Sequence, residues 1–193
     1  PRTHAAVAQL GKRLLVVGGS DGAAATTTTY VAELTNGTFG AWAEGPALPE
    51  ARTGASIAVI GTSAYLLGGA DADGNPTDTV WALSVNTDTS ALGAWAPVEG
   101  VTLPQARAGA AAITVPDGLL VAGGRGADGA PSAAVWKATL DAKGALGTFD
   151  GQADLLLPVA DATVAQVGDY IWLYGGSGMS GPVGAVQRGL IGT

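Results

Sequence analysis

The sequence predicts an all-β fold built from four copies of one unit, each made of short antiparallel strands. Two adjacent glycines follow an apolar run four times, so that a unit recurs every 50 to 55 residues. The pairs are Gly18-Gly19, Gly68-Gly69, Gly123-Gly124 and Gly175-Gly176. The apolar runs are short and are bounded by Gly, Pro, Asp and Asn, as strands are. With 31 Gly and only 13 % charged residues, the composition favours strands and turns over helices.

Each unit contains four strand-like segments in the same order. The first is small and apolar, the second runs into the glycine pair, the third carries one aromatic residue, and the fourth opens at a second aromatic residue. In unit two these segments are "ASIAVI", "AYLL", "TVWALSV" and "GAWAPV". Four strands in about 50 residues is the size of a β-propeller blade. We therefore expect one β-propeller segment whose repeats span approximately 1–49, 50–104, 105–157 and 158–193.

The repeated positions have an expected structural role in such blades. The innermost strands crowd around an axis and favour small side chains, whereas the wide outer space between blades favours large ones. The aromatic residues expected to fill that space are Trp42, Trp81, Trp95, Trp136 and Phe149. The glycine pairs are expected to adopt positive φ where neighbouring backbone packs close.

The repeat resembles the kelch repeat along the whole chain. The matching features are the glycine pair, a Pro-Arg or Ala-Arg step ahead of the first strand, two spaced aromatic residues and the "G-x-W … LP-x-A-R" joints at 40–52 and 93–107. The resemblance implies a ring of six or seven blades. Unit four ends at "RGLIGT", before its outermost strand, and Pro1 follows no signal-like stretch. We expect part of a ring from a longer polypeptide; the alternatives are a four-bladed ring, an open stack, or two chains that complete one ring.

Three arginines share one position ahead of the first strand. These are Arg2, Arg52 and Arg107, and Val159 takes the place in unit four. We expect them to ring one mouth of the central channel. The resemblance to eukaryotic kelch domains, which bind acidic peptides near this position, implies an anion-binding mouth. Alternatively, each arginine stabilises its own blade by bonding to loop carbonyls or to a neighbouring carboxylate.

The segment "DADGNPTD" at 71–78 is a candidate calcium loop. Asp71, Asp73, Asn75 and Asp78 alternate as oxygen ligands around Gly74, as calcium loops begin. The later Glu of an EF-hand is missing. The same residue types also form ordinary turns, which is the alternative.

No catalytic constellation is evident in the sequence. His4 is the one histidine and there is no cysteine, which excludes the copper-oxidase chemistry of some kelch-like rings as well as disulfides and thiolate metal sites. No glycine loop opens a helix to cradle a phosphate, and we expect no cofactor. The sequon at Asn36-Gly37-Thr38 is also a good hairpin turn.

The charge and composition favour an extracytoplasmic protein. The net charge of −7 argues against nucleic acid and disfavours an anionic membrane surface, and no apolar run is long enough for a membrane span. An acidic, Lys-poor chain rich in Ala, Thr and Gly is typical of bacterial proteins that are extracellular, on the cell surface or periplasmic. We expect a non-enzymatic module that binds a protein or glycan and contacts further blades of its own polypeptide or of a partner chain. The alternatives are part of a sugar-modifying kelch enzyme and an architectural subunit that pairs through blade edges.

Overall fold

The computed structural model describes residues 1–191 and confirms the all-β prediction. Eighteen strands and no helix occur in this range. They form four antiparallel sheets, which are arranged as the four blades of a β-propeller, and one two-stranded ribbon. No helix that could cross a membrane is present in the described part of the chain.

Blade 1 has an irregular outer strand. Its inner three strands pair in chain order, and two short strands share the outer edge of β3. The strands are β1 (Ala6–Leu10), β2 (Arg13–Val17), β3 (Thr29–Thr35), β4 (Thr38–Phe39) and β5 (Ala43–Glu44). The turn between β3 and β4 places Asn36 and Gly37 at φ of 52° and 79°, as a type I′ hairpin turn requires.

Blades 2 and 3 are complete four-stranded meanders in which each strand pairs with the next. Blade 2 contains β6 (Ser56–Ile60), β7 (Ser63–Leu67), β8 (Thr79–Ser84) and β9 (Ala96–Thr102). Blade 3 contains β10 (Ala111–Val115), β11 (Gly118–Ala122), β12 (Val135–Leu140) and β13 (Leu146–Gly151).

Blade 4 has three strands. They are β14 (Thr163–Val167), β15 (Tyr170–Tyr174) and β18 (Val186–Leu190), and the ribbon of β16 (Ser177–Gly178) and β17 (Gly181–Pro182) connects the last two. Within residues 1–191 no strand pairs with the outer edge of β18, as the sequence predicts for the last unit.

Two series of backbone hydrogen bonds join each blade to the next. In the first, Gly54 N–H donates to the His4 carbonyl oxygen at 2.9 Å, Gly109 N–H to Gly54 at 2.8 Å, and Asp161 N–H to Gly109 at 2.7 Å. All four residues have φ between 51° and 65°. This series runs around the axis at the start of the innermost strands.

The second series explains the glycine pairs. The second glycine of a pair donates to the carbonyl oxygen at the arginine position of the next blade, at 2.7 Å for Gly19 to Arg52 and for Gly69 to Arg107, and at 2.9 Å for Gly124 to Val159. A Cβ on the first glycine would overlap the same carbonyl oxygen. Both glycines of every pair have positive φ, which confirms the expectation for them.

Apolar side chains fill the space between consecutive blades. Between blades 1 and 2, Trp81 and Trp95 pack with Leu15 and Val17 in one buried cluster. Between blades 2 and 3, the corresponding cluster contains Tyr65, Leu67, Trp136 and Phe149. The cluster between blades 3 and 4 is smaller, and its buried members are Ala111, Val159 and Leu173.

The two ends of this array are open. Neither hydrogen-bond series joins blade 4 to blade 1 within the described residues. The expectation that Trp42 fills an inter-blade space is therefore corrected. This residue lies in blade 1, against which no other blade of residues 1–191 packs on that side, and it is 51 % exposed. Its counterpart in blade 2, Trp95, is 4 % exposed.

Candidate functional site

Arg52 lies inside blade 2 and is 1 % exposed. Its guanidinium carbon stands 4.4 Å from the centroid of the Trp81 ring. The guanidinium donates to the Ala51 carbonyl at 2.9 Å, to the Glu50 carboxylate at 3.0 Å and to the Thr79 hydroxyl at 3.2 Å. These contacts hold the loop ahead of β6 against β8.

Arg107 repeats this arrangement in blade 3. It lies 5.2 Å from the Trp136 ring centroid and donates to the Gln105 side-chain oxygen at 2.6 Å and to the Ser132 hydroxyl at 3.1 Å. Burial lowers the pKa of its guanidinium, and the nearby Asp128 carboxylate opposes that shift. The Nε atoms of Arg52 and Arg107 are both buried without a partner among the described residues.

Arg2 makes the corresponding contacts in blade 1 but is less buried. It stands 5.4 Å from the Tyr30 ring centroid and donates to the hydroxyls of Thr26 and, at 2.6 Å, Thr28. Each arginine thus stacks on the first aromatic residue of its own blade. This stacking links the loop ahead of the first strand to the third strand in each of blades 1 to 3. Anion binding at a channel mouth stays a prediction.

The contact between the arginine and the aromatic residue could have been predicted from the way the two positions vary together. Unit four replaces both members at once, with Val159 for the arginine and Gln187 for the aromatic residue. The Gln187 amide instead binds the backbone of Leu157, accepting from its N–H at 2.9 Å and donating to its carbonyl at 3.0 Å. The joint replacement indicates that arginine and aromatic residue form one structural unit.

The candidate calcium loop forms a turn that is held by hydrogen bonds within the segment. The Asp71 carboxylate accepts the N–H groups of Asp73 and Asn75, each at 2.9 Å. The hydrogen bond from Asn75, more than any other contact, holds the pKa of Asp71 below its ordinary value. No group of three or more His, Cys, Asp or Glu residues in the described range, Asp78 included, is placed to hold a metal ion.

His4 and its counterparts mark one end of the axis. His4 is exposed, and its backbone serves the first inter-blade hydrogen bond. Its counterpart in blade 4, Asp161, forms an ion pair of 3.3 Å with Arg125. Neither Arg125 nor Asp161 was singled out from the sequence, because neither recurs in the other units.

The face of blade 4 that points away from blade 3 is apolar, aromatic and open, and we call it the outer face of blade 4. It consists of Val167, Tyr170, Trp172, Tyr174, Val186, Arg188 and Leu190, which alternate with the residues that face blade 3. Val167 is 61 % exposed and Leu190 is 67 % exposed. The equivalent positions in blade 1 include Leu10, Leu15 and Val17, all of which are buried against blade 2.

A cavity of about 320 Å³ lies between blades 3 and 4, and we call it the wedge cavity. Its apolar walls include Val115, Leu120, Ile171 and Leu173, and Gln187 and Gly189 line it on the side of β18. The same place in the preceding interfaces is occupied by Trp81 with Trp95 and by Trp136 with Phe149. Within the described residues, blade 4 places no aromatic residue in this space.

No protein-family model matches this chain, and no curated protein matches it significantly.

Proposed function

We propose that this chain is a non-enzymatic interaction module of kelch-type blades within a larger surface or secreted protein. It contacts further blades through the outer face of blade 4 and presents its loops to a protein or glycan. The observation that carries the proposal is the outer face itself, because its counterparts in blades 1 to 3 are each covered by the next blade.

The outer face has the composition of an interface rather than of an ordinary surface. Trp172 and Tyr170 flank the Arg188 guanidinium, whose carbon lies 5.5 Å and 4.6 Å from their ring centroids. Contiguous exposed apolar patches on soluble proteins mark interaction sites, and Trp, Tyr and Arg are the residues enriched at their centres.

Blade 1 offers a matching open face at the other end. Val7 is 55 % exposed there, and Val16 and Tyr30 form a row with it across β1, β2 and β3. A blade that covers the outer face of blade 4 would present such a row. In solution we therefore expect blade 4 of one copy to pack against blade 1 of another when no further blades are supplied.

Sedimentation velocity over a range of protein concentrations tests the proposal. We expect reversible self-association that weakens by about tenfold or more in the double variant Trp172→Ser/Tyr174→Ser, because the apolar area buried is lost. The control is Leu156→Ser, which removes an apolar side chain that is 90 % exposed and lies off this face. A chain that stays monomeric throughout, or an association that the double variant leaves unchanged, would contradict the proposal.

A further inference from the structure

We infer that a cleft between blades 1 and 2 binds an oligosaccharide that contains uronic acid units and therefore carries carboxylate groups. The cleft lies at the end of the blades opposite to the glycine pairs, between the β1–β2 and β3–β4 turns of blade 1 and the β6–β7 turn and β8–β9 loop of blade 2. We call it the blade 1–2 cleft. The inference names a ligand class, and it rests on the part of the proposed function in which the loops bind a ligand.

The blade 1–2 cleft has the size of a small-molecule site. Its volume is about 710 Å³, and ligand pockets in proteins usually measure ~300–1,000 Å³. Its walls belong to blades 1 and 2 alone, which pack together through the buried cluster that includes Leu10 and Leu83. The half-buried side chains of Leu34 and Val85 also line the cleft. They offer apolar surface against which the C–H face of a sugar ring can pack.

Polar side chains with no internal partner surround the blade 1–2 cleft. Those that line it are Lys12, Thr35, Asn36, Thr62 and Ser90, and none of these side chains has a hydrogen-bond partner within residues 1–191. Hydroxyl and amide groups can both donate and accept hydrogen bonds. The hydroxyl groups of a saccharide do the same, so each polar group of the cleft can find a partner on such a ligand.

The charge of the cleft favours an acidic saccharide over a neutral one. Lys12 and Arg13 are the only adjacent basic residues in a chain whose net charge is −7. The Arg13 guanidinium is held by the Glu33 carboxylate at 3.1 Å and by the Ser90 carbonyl oxygen at 2.8 Å. Lys12 is exposed and forms no ion pair within residues 1–191. A carboxylate of the ligand would supply its partner, and charge-assisted hydrogen bonds are about twice as strong as neutral ones.

The walls of the cleft are held in place before any ligand binds. The hydrogen bond from Arg13 to the Ser90 carbonyl joins β2 of blade 1 to the β8–β9 loop of blade 2. The Asn86 side-chain oxygen accepts the N–H groups of Asp88 and Thr89 at 3.0 Å and 2.9 Å, which closes the loop that carries Ser90. Because these contacts are already formed, a ligand would have little of the wall to order on binding.

The backbone around the cleft favours a saccharide over a peptide. Three of its lining residues are the turn glycines Gly11, Gly37 and Gly61, whose φ values are 59°, 79° and 55°. A Cβ built on any of them would meet no other atom within 4 Å, so a ligand can approach these turns closely. Turns offer separate hydrogen-bonding groups rather than the continuous strand edge that an extended peptide uses. An oligosaccharide, with hydroxyl groups around each ring, matches such separate groups.

Isothermal titration calorimetry of the whole chain with trigalacturonate and with triglucuronate tests the inference. We expect saturable binding of at least one of them, which weakens as sodium chloride is added because salt screens the contact with Lys12. The methyl ester of the same trisaccharide has no charge and should bind at least about fivefold more weakly. Self-association through blade 4 is measured separately by sedimentation, so the failure of one proposal is distinguishable from the failure of the other.

Protein variants locate the site. Lys12→Glu should weaken binding by about tenfold or more, because it replaces an attraction by a repulsion. Lys143→Glu makes the same change of charge in the exposed turn between β12 and β13 and is the matched control, which should bind as the parent does. Asn36→Gly suits the φ of 52° at this position and removes only the amide, so binding should weaken severalfold in a chain that stays folded. Thr62→Trp should fill the cleft and abolish binding.

The inference is overturned if neither trisaccharide binds saturably or if Lys12→Glu binds as tightly as Lys143→Glu. It is also overturned if Thr62→Trp, folded as judged by circular dichroism, binds as the parent does; should this variant not fold, the comparison of the two lysine variants decides. Tetraglutamate distinguishes the other kind of acidic ligand. If it binds as tightly as the trisaccharides, the cleft recognises acidic peptides and the assignment to a saccharide is wrong.

Discussion

Blades 3 and 4 carry the same glycine pair but stand in different surroundings. Gly123 of blade 3 lies against the Val159 carbonyl of blade 4, and a Cβ there would overlap that oxygen. Gly175 of blade 4 meets no following blade among the described residues, and a Cβ there would stand 3.6 Å from its nearest neighbour, the Val183 carbonyl oxygen. Yet φ is 68° at Gly123 and 62° at Gly175. The left-handed backbone therefore belongs to the turn within a blade, whereas the exclusion of a side chain comes from the next blade.

The same contrast applies to the outer half of the blades. Blade 3 fills its space against blade 2 with Trp136 and Phe149, while blade 4 leaves a cavity next to Gln187. The backbone hydrogen bonds near the axis are nevertheless made across both interfaces. The contacts near the axis are thus common to both interfaces, whereas the packed aromatic residues further out are present at only one of them.

The largest expected effect separates two tryptophans at equivalent positions. Trp95→Ala should lower the free energy of unfolding by about 3–5 kcal/mol, because it empties a packed space. It also removes the hydrogen bond of 3.1 Å from the Trp95 indole to the Thr29 hydroxyl. Trp42→Ala should cost under about 1 kcal/mol, as surface substitutions usually do. Urea denaturation of both variants measures the difference, and equal losses would contradict the contrast between covered and open blades.

The next effect separates two requirements at the first glycine of a pair, which are the positive φ of the turn and the close approach of the next blade. Gly175→Ala should cost about 1–2 kcal/mol, the strain of an alanine at positive φ. Gly123→Ala carries the same strain and must also displace the Val159 carbonyl, so we expect about 1–2 kcal/mol more, as for other overpacked sites. Thermal melts of the matched pair decide the matter. If the two variants melt together, the neighbouring blade does not restrict this position.

The smallest effect tests the role of the arginines. Arg52→Met keeps an apolar stem against Trp81 but leaves the Ala51 carbonyl and the Thr79 hydroxyl without their donor. We expect a loss of about 1–3 kcal/mol, the cost of buried groups left unpaired. Val159, which is 1 % exposed, shows that an apolar residue suits this position where the aromatic partner is also absent. An unchanged melting temperature would contradict the structural role of Arg52.

Much of the fold could be predicted because the same pattern of apolar runs and glycine pairs occurs four times in the sequence. The glycine pairs fixed the ends of β2, β7, β11 and β15, and the apolar runs fixed the strands before them. Trp42 could not be placed in this way, since its sequence context matches that of Trp95, yet within residues 1–191 no blade covers it and it is exposed. The stacking of Arg52 on Trp81 was equally hidden, because the two residues are far apart in the chain.

The sequence by itself determined the four repeats, most of their strands and their turns, since these depend on side-chain period, on positive φ at glycine and on local hydrogen bonds. Only the tertiary structure decided which equivalent residues are buried. Burial depends on whether another blade covers a face, and that is a property of the assembled array rather than of any single repeat. For this reason Val17 is buried while Tyr174, at the same place in blade 4, is 39 % exposed.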